Sequence, residues 1–139
     1  MHSIYPTSDE VCALLREVRT IAVVGLSGNP TRPAYRVAHA LQGFGYRIVP
    51  VRPGVSEVLG EQAYPDLESI PFPVDVVEVF RAPEYVPAIV ESCIKLKIPR
   101  LWLQDGVVHE AAALRAQTAG MQVVMNRCMY RDYVQLCAA

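Results

Sequence analysis

Two hydrophobic rhythms alternate along the chain. Short unbroken apolar runs come between longer stretches in which apolar residues recur every three or four positions. The first rhythm marks strands buried on both faces, and the second marks amphipathic helices. Val11, Leu14, Leu15 and Val18 share one face of a predicted helix that Thr7 or Ser8 can cap. "TIAVVG" (20–25) follows as a buried strand closed by glycine. A second helix sets Ala34, Val37, Ala38, Leu41 and Phe44 on one side and stops at Gly45. "YRIVPV" (46–51) is the second strand. Residues 52–73 carry four prolines and two glycines around a short turn at "DLESI", and read mainly as connection.

The third strand is "VDVVEVF" (74–80). A helix follows from Pro83 or Pro87 to about Lys97, since either proline suits a first-turn position, and it buries Val86, Ile89, Val90, Cys93 and Ile94. "RLWLQ" (100–104) is the fourth strand, residues 108–119 an alanine-rich helix ended by Gly120, and "MQVVM" (121–125) the fifth strand. "YRDYVQLC" closes the chain with a helical turn or two. Strands and helices in this order predict an α/β, Rossmann-like three-layer fold, with a five-stranded parallel sheet ordered 3-2-1-4-5. In such sheets ligands bind beyond the carboxyl ends of the strands.

Length and composition narrow the functional classes. The 139 residues make one domain, 1–139, with 52% hydrophobic and 19% charged residues, a globular profile. A net charge of −1 and a pI near 6.3 argue against nucleic acid as partner. No apolar run approaches the roughly 20 residues of a membrane span. "MHSIYPTSDE" lacks the basic start and apolar segment of a secretory signal, so a cytoplasmic location is expected. Cys12, Cys93, Cys128 and Cys137 show no metal-ligand spacing and are expected as reduced thiols.

The residues after each strand carry the candidate chemistry. "VVGLSGNPTRPAYRV" (23–37) joins the first strand to a helix start, a shape that favours a bound anion. Gly25, Ser27, Gly28, Asn29, Pro30, Thr31 and Arg32 form its loop. Aligned on Gly25, the dinucleotide fingerprint G-x-G-x-x-G fails at Ser27 and Pro30, and no Walker A lysine follows. The plainer reading is a strand-to-helix turn that simply needs glycine. After the second strand, Val51 is followed by Arg52, where an NAD-binding protein usually has a carboxylate. Arg52 suits a ribose carrying a phosphate, as in NADP or coenzyme A, or is a solvated surface residue. Phe80 can wall an adenine and Arg81 approach phosphate; alternatively Phe80 is core and Arg81 pairs with Glu84. Gln104, Asp105 and Gly106, then Asn126, Arg127 and Cys128, complete the rim.

With these residues in place, the chain resembles the small bacterial CoA-binding proteins, and more distantly the CoA-binding domain of the succinyl-CoA synthetase alpha subunit. The resemblance runs through "VVGLSGNPTRPAYRV", "GYRIVPVRPG", "VDVVEVFR", "LWLQDGV" and "AGMQVVMNRC", in order. It implies that Gly25 through Arg32 hold the pyrophosphate of coenzyme A, and that Val51 and Arg52 lie near the adenosine and 3′-phosphate. It further implies that Phe80 and Arg81 flank the nucleotide, and that Gln104 and Gly106 line the path of the pantetheine arm. Two positions depart from the family pattern. Ala34 replaces a common serine and removes a hydroxyl donor; Asn126 replaces a common aspartate. In the synthetase, the phosphorylated histidine and nucleotide-grasp machinery lie outside this domain, so the resemblance implies neither here.

No catalytic set of residues stands out. His39 falls on the outer side of its helix, and His109 with Glu110 reads as first-turn helix rather than as the start of H-E-x-x-H, because Ala113 stands at the fifth position. Cys128 is the one candidate for reactivity, with Arg127 able to stabilise its thiolate; the plainer reading is an inert buried cysteine. The expected function is non-catalytic binding of CoA or acyl-CoA, as a carrier or sensor. An NADP-dependent oxidoreductase or redox sensor is the second reading. A subunit lending its site to a separate catalytic partner protein is the third, and a homo-oligomer is left open.

Overall fold

The computed structural model describes residues 5–137. His2 and the first residues of the stretch weighed against a secretory signal lie outside the described residues. The main-sheet strands are β1 (Thr20–Val24), β2 (Arg47–Val51), β5 (Val76–Val79), β6 (Arg100–Leu103) and β7 (Gln122–Met125). All pair in parallel, in the spatial order β2-β1-β5-β6-β7. The helices are α1 (Ser8–Glu17), α2 (Pro33–Gly43), α3 (Val86–Lys95), α4 (Glu110–Thr118) and the single turn α5 (Met129–Asp132). A Rossmann-like three-layer domain results, as the strand and helix rhythms predict.

The 3-2-1-4-5 winding is kept with one change in which segment fills the outer place. The stretch 74–80, third full strand along the chain, pairs with β1 rather than outside β2. The place beyond β2 is held by Tyr64, which bridges Val51 in parallel, its amide donating to Pro50 O at 2.9 Å. β5 and β6 then take the fourth and fifth places, and β7 adds a sixth. A one-residue bridge has no hydrophobic run to announce it. Nor do β3 (Glu57–Val58) and β4 (Glu61–Gln62), an antiparallel hairpin within the expected connection. Its turn uses Leu59 at φ 55° and Gly60 at φ 77°, a pair without the asparagine-glycine signal of such hairpins. The turn expected at "DLESI" is a 3-10 turn, Leu67–Ser69, capped by Asp66.

Local chemistry explains the helix ends. Thr7 and Glu10 form a reciprocal capping box before α1. Both prolines proposed for the third helix start are used: Pro83 opens a 3-10 turn, Pro83–Tyr85, and Pro87 sits in the first turn of α3. His109 is the N-cap of α4 rather than a first-turn residue, its Nδ1 accepting from Ala112 N at 3.1 Å. α1, α2 and α5 cover one sheet face over Ile21, Val23, Ile48, Trp102 and Val124. α3 and α4 cover the other over Ala22, Val49, Val77, Leu101 and Val123.

Two of the four cysteines are not free thiols, in contrast to the sequence expectation. Cys12 on α1 and Cys137 at the end of the C-terminal turn Tyr133–Cys137 are joined as a disulfide, with Cα atoms 5.4 Å apart. The fold brings together residues separated by 125 positions, which no spacing rule reveals. Closing so long a loop removes much entropy from the unfolded chain. Cys12→Ser is therefore expected to lower unfolding free energy by about 3–5 kcal/mol. Dithiothreitol should lower the melting temperature of the wild type and leave that of the variant unmoved.

Candidate functional site

The turns after β1, β2, β5, β6 and β7 open into one cleft of about 950 Å³. At its centre the chain leaves β1 through Gly25, whose φ is +90° and whose amide donates to Val51 O at 2.9 Å. A Cβ at this position would lie 2.7 Å from Phe80 O and 3.1 Å from Arg81 Cδ. Only glycine combines that backbone angle with that approach.

Of the expected site residues, Gly25, Ser27, Arg32, Arg52, Phe80, Arg81, Gln104 and Gly106 line the cleft. Gly28, Asn29, Pro30 and Thr31 do not; they form the exposed tip of the loop. The tip is folded on itself: Asn29 Oδ1 accepts from Thr31 N at 3.0 Å and Thr31 Oγ1 at 2.8 Å, and Ser27 Oγ accepts from Asn29 N at 3.0 Å. Val51 packs into the core under a second pocket of about 180 Å³, which shares Pro53 and Arg81 with the cleft.

Charge is distributed unevenly around the cleft. Arg32, Arg52 and Arg81 form no ion pair among the described residues. Arg81 does not pair with Glu84; its guanidinium stacks over the Tyr85 ring at 4.0 Å. The one carboxylate in the lining, Asp105, is gripped by Arg131 through contacts of 2.8 and 2.9 Å. Those hydrogen bonds hold its carboxyl below the usual carboxylate range. No side chain caps α2 and no acid lies in its first turn, in contrast to α1. The orphan amides and dipole of α2 thus add to an uncompensated positive wall.

The far wall is built by side chains acting on backbone. Gln104, 4% exposed, accepts from Met129 N at 2.9 Å and so fixes the start of α5. Gly106, at φ +79°, donates to Asn126 Oδ1 at 2.7 Å; this acceptor role is open to asparagine and aspartate alike. Ala34 lines the cleft but leaves only a methyl there. Cys128 also lines it, although mostly buried. Arg127 is not available to its sulfur, because Asp132 engages it at 2.6 and 3.2 Å.

The fold has counterparts among known proteins. A family model described as CoA binding domain matches residues 19–133. The chain belongs to that family. An uncharacterized protein of Bacillus subtilis (strain 168), YneT, is 38% identical over 124 residues, 89% of this chain and 92% of that protein. A hypothetical protein from Pyrococcus horikoshii OT3 superposes with a TM-score of 0.92 at 34% identity, covering 98% of this chain and 96% of that one. The cell-free ID.343 protein from Thermus thermophilus gives 0.89 at 34% identity, covering 94% and 98%. Among the described residues no helix is long and apolar enough to cross a membrane, and no cluster of three or more His, Cys, Asp or Glu is placed to hold a metal.

One feature of this CoA-binding domain escaped the sequence reading. Glu78 stands in the middle of β5, opposite Val23 and Trp102, with no exposed surface and no partner for either carboxylate oxygen. Alternation puts it on the α1–α2–α5 face with Val76 and Phe80, one step inward from the cleft. The only signal was an acid inside an otherwise apolar strand run. Burial pushes its carboxyl up to about 8 from a usual value of 4.5.

Two predictions follow from this geometry. Gly25→Ala should cost about 2–4 kcal/mol in urea unfolding. Gly28→Ala, where an added Cβ meets nothing within 4 Å, should stay within about 0.5 kcal/mol of wild type. Glu78 keeps its proton in the folded state at pH values where the unfolded chain has lost it. Its stabilising contribution is therefore complete below about pH 4.5 and is lost as pH rises through about 8. Glu78→Gln should abolish that decline and exceed wild-type stability at pH 9 by on the order of 2–4 kcal/mol, measured by denaturation across pH.

Proposed function

We propose that this chain binds coenzyme A, or an acyl-CoA, through the ADP half, as a non-catalytic binding, carrier or sensor module. The observation that carries the reading is the group of three unpaired arginines around the uncapped start of α2, in a member of the CoA-binding domain family. Such a cleft attracts anions, and its arginines are desolvated favourably only when an anion pairs with them, which a diphosphate with a further phosphate supplies. In this reading Gly25, Ser27, Arg32 and the α2 amides receive the diphosphate. Arg52 receives the 3′-phosphate, and Phe80 gives the nucleotide an apolar surface. The second pocket, floored by Val24 and Val51, takes the adenine, and Gln104 and Gly106 flank the outgoing pantetheine arm.

Arg52 favours NADP as the second reading, since that ligand also carries a ribose phosphate. The broken glycine fingerprint counts against it. Calorimetric titration separates the two. CoA is expected to saturate the protein, and dephospho-CoA to bind about tenfold or more weakly, since one charge-assisted contact is worth about 1.5–3 kcal/mol. Arg52→Ala should bring CoA down to the dephospho-CoA level and leave dephospho-CoA unchanged. Equal affinity for both ligands in the wild type would remove Arg52 from the phosphate site, and saturation by NADP alone would replace the CoA reading with the redox one.

A further inference from the structure

Some arginines of this molecule are held in place, and in two different ways: by a carboxylate, or by an aromatic ring, as Arg47 is by Phe72 at 3.9 Å, away from the cleft. Arg100, Arg115, Arg127 and Arg131 each grip a carboxylate, at 2.9, 3.2, 2.6 and 2.8 Å respectively. Arg81 is held instead by the Tyr85 ring, with its guanidinium carbon 4.0 Å from the centroid. The two modes have opposite consequences for a ligand. A carboxylate fills the guanidinium edge and cancels its charge. An aromatic ring covers only the flat face, so the in-plane N–H groups and the full charge remain available.

Placement strengthens the contrast. Arg81 borders both the main cleft and the second pocket, so this residue stands at their junction. Its stem lies against Gly25, which lacks the Cβ that would displace it. Tyr85 belongs to a 3-10 turn started by Pro83 and followed by Pro87, with its amide donating to Ala82 O at 3.0 Å. The direction in which the Tyr85 side chain leaves the chain is therefore set by restrained backbone. Tyr85 is nonetheless 46% exposed, so core packing does not explain a large aromatic here.

We propose that Tyr85 is a positioning residue for ligand binding: it holds the Arg81 guanidinium, uncompensated, at the junction of the two pockets, ready for the phosphate oxygens of a nucleotide-like ligand. The inference rests on the CoA-binding reading and adds a residue outside the cleft lining to it. Holding the arginine beforehand removes the ordering cost that a free side chain would meet on binding.

The test has a ligand-free arm and a titration arm. In the free protein, nuclear magnetic resonance should show the Arg81 side-chain protons shifted upfield by the ring. The shift should persist in Tyr85→Phe and vanish in Tyr85→Leu, while both variants melt near the wild-type temperature. In CoA titrations, Tyr85→Phe should bind within twofold of wild type and Tyr85→Leu about five- to tenfold more weakly. In an Arg81→Ala background, Tyr85→Leu should add less than a twofold loss, because nothing is left to position. Independent, multiplying losses would overturn the inference, as would absence of the ring-current shift in the wild type. A wild type that shows the shift yet takes up no CoA would refute the CoA reading alone. Inorganic pyrophosphate then becomes the probe for the same double-mutant cycle, and failure to bind it would overturn the held arginine as well.

Discussion

The approach of two chain exits at Gly25 is the constraint on which the site depends. β1 and β5 are neighbours in the sheet, and both end at the same edge. The residue that follows β1 must turn sharply while the carbonyl of Phe80 lies where a side chain would start. Glycine meets that condition, and the chain can then bend into α2 instead of continuing outward. Had β1 ended in any other residue, the loop and the Arg81 stem would have been pushed apart. The cleft, the direction of α2 and the position of one of its cations all trace back to that contact.

Electrostatics then sets the sign of the cleft. An arginine facing solvent carries little information by itself, because most are simply hydrated or loosely paired. Here three of them, Arg32, Arg52 and Arg81, border one cleft with no ion pair among the described residues, and the acid inside it, Asp105, is already spoken for by Arg131. What remains is positive charge aimed at a volume large enough for a nucleotide. The α2 terminus adds to this because no side chain competes for its amides.

Much of the fold was legible in the sequence because helical and strand periodicities are strong here. Val11, Leu14, Leu15 and Val18 are all buried, as their spacing requires, and Ala112, Ala113 and Ala116 of α4 pack inward. What escaped prediction depended on contacts between distant residues or on turns with unusual residues. The Leu59–Gly60 turn carries no familiar dipeptide, so its hairpin passed as connection. Ser27 and Asn29 stood out as polar residues beside a helix start, yet each accepts a hydrogen bond within the loop, which the one-dimensional pattern does not show. Arg127 looked available to Cys128 until Asp132, five residues on, was found to hold it. The stack of Arg81 on Tyr85 spans four residues across a 3-10 turn, a geometry for which the sequence had offered Glu84 as the partner.

Glu78 shows why such a domain carries features that stability alone would not select. A carboxyl without partners in the middle of a parallel strand is costly to bury, and an apolar residue of similar size would fit the same place. Its burial keeps the group neutral near physiological pH, so it adds no negative charge beneath a cleft whose wall is positive. If it ionised, the nearest change would be felt along the β5 end that presents Phe80 and Arg81. Trp102 stands beside Glu78 in the sheet and Met129 packs on the same face, with Gln104 fixing the amide of Met129, so the carboxyl is enclosed by the elements that also build the far wall of the cleft.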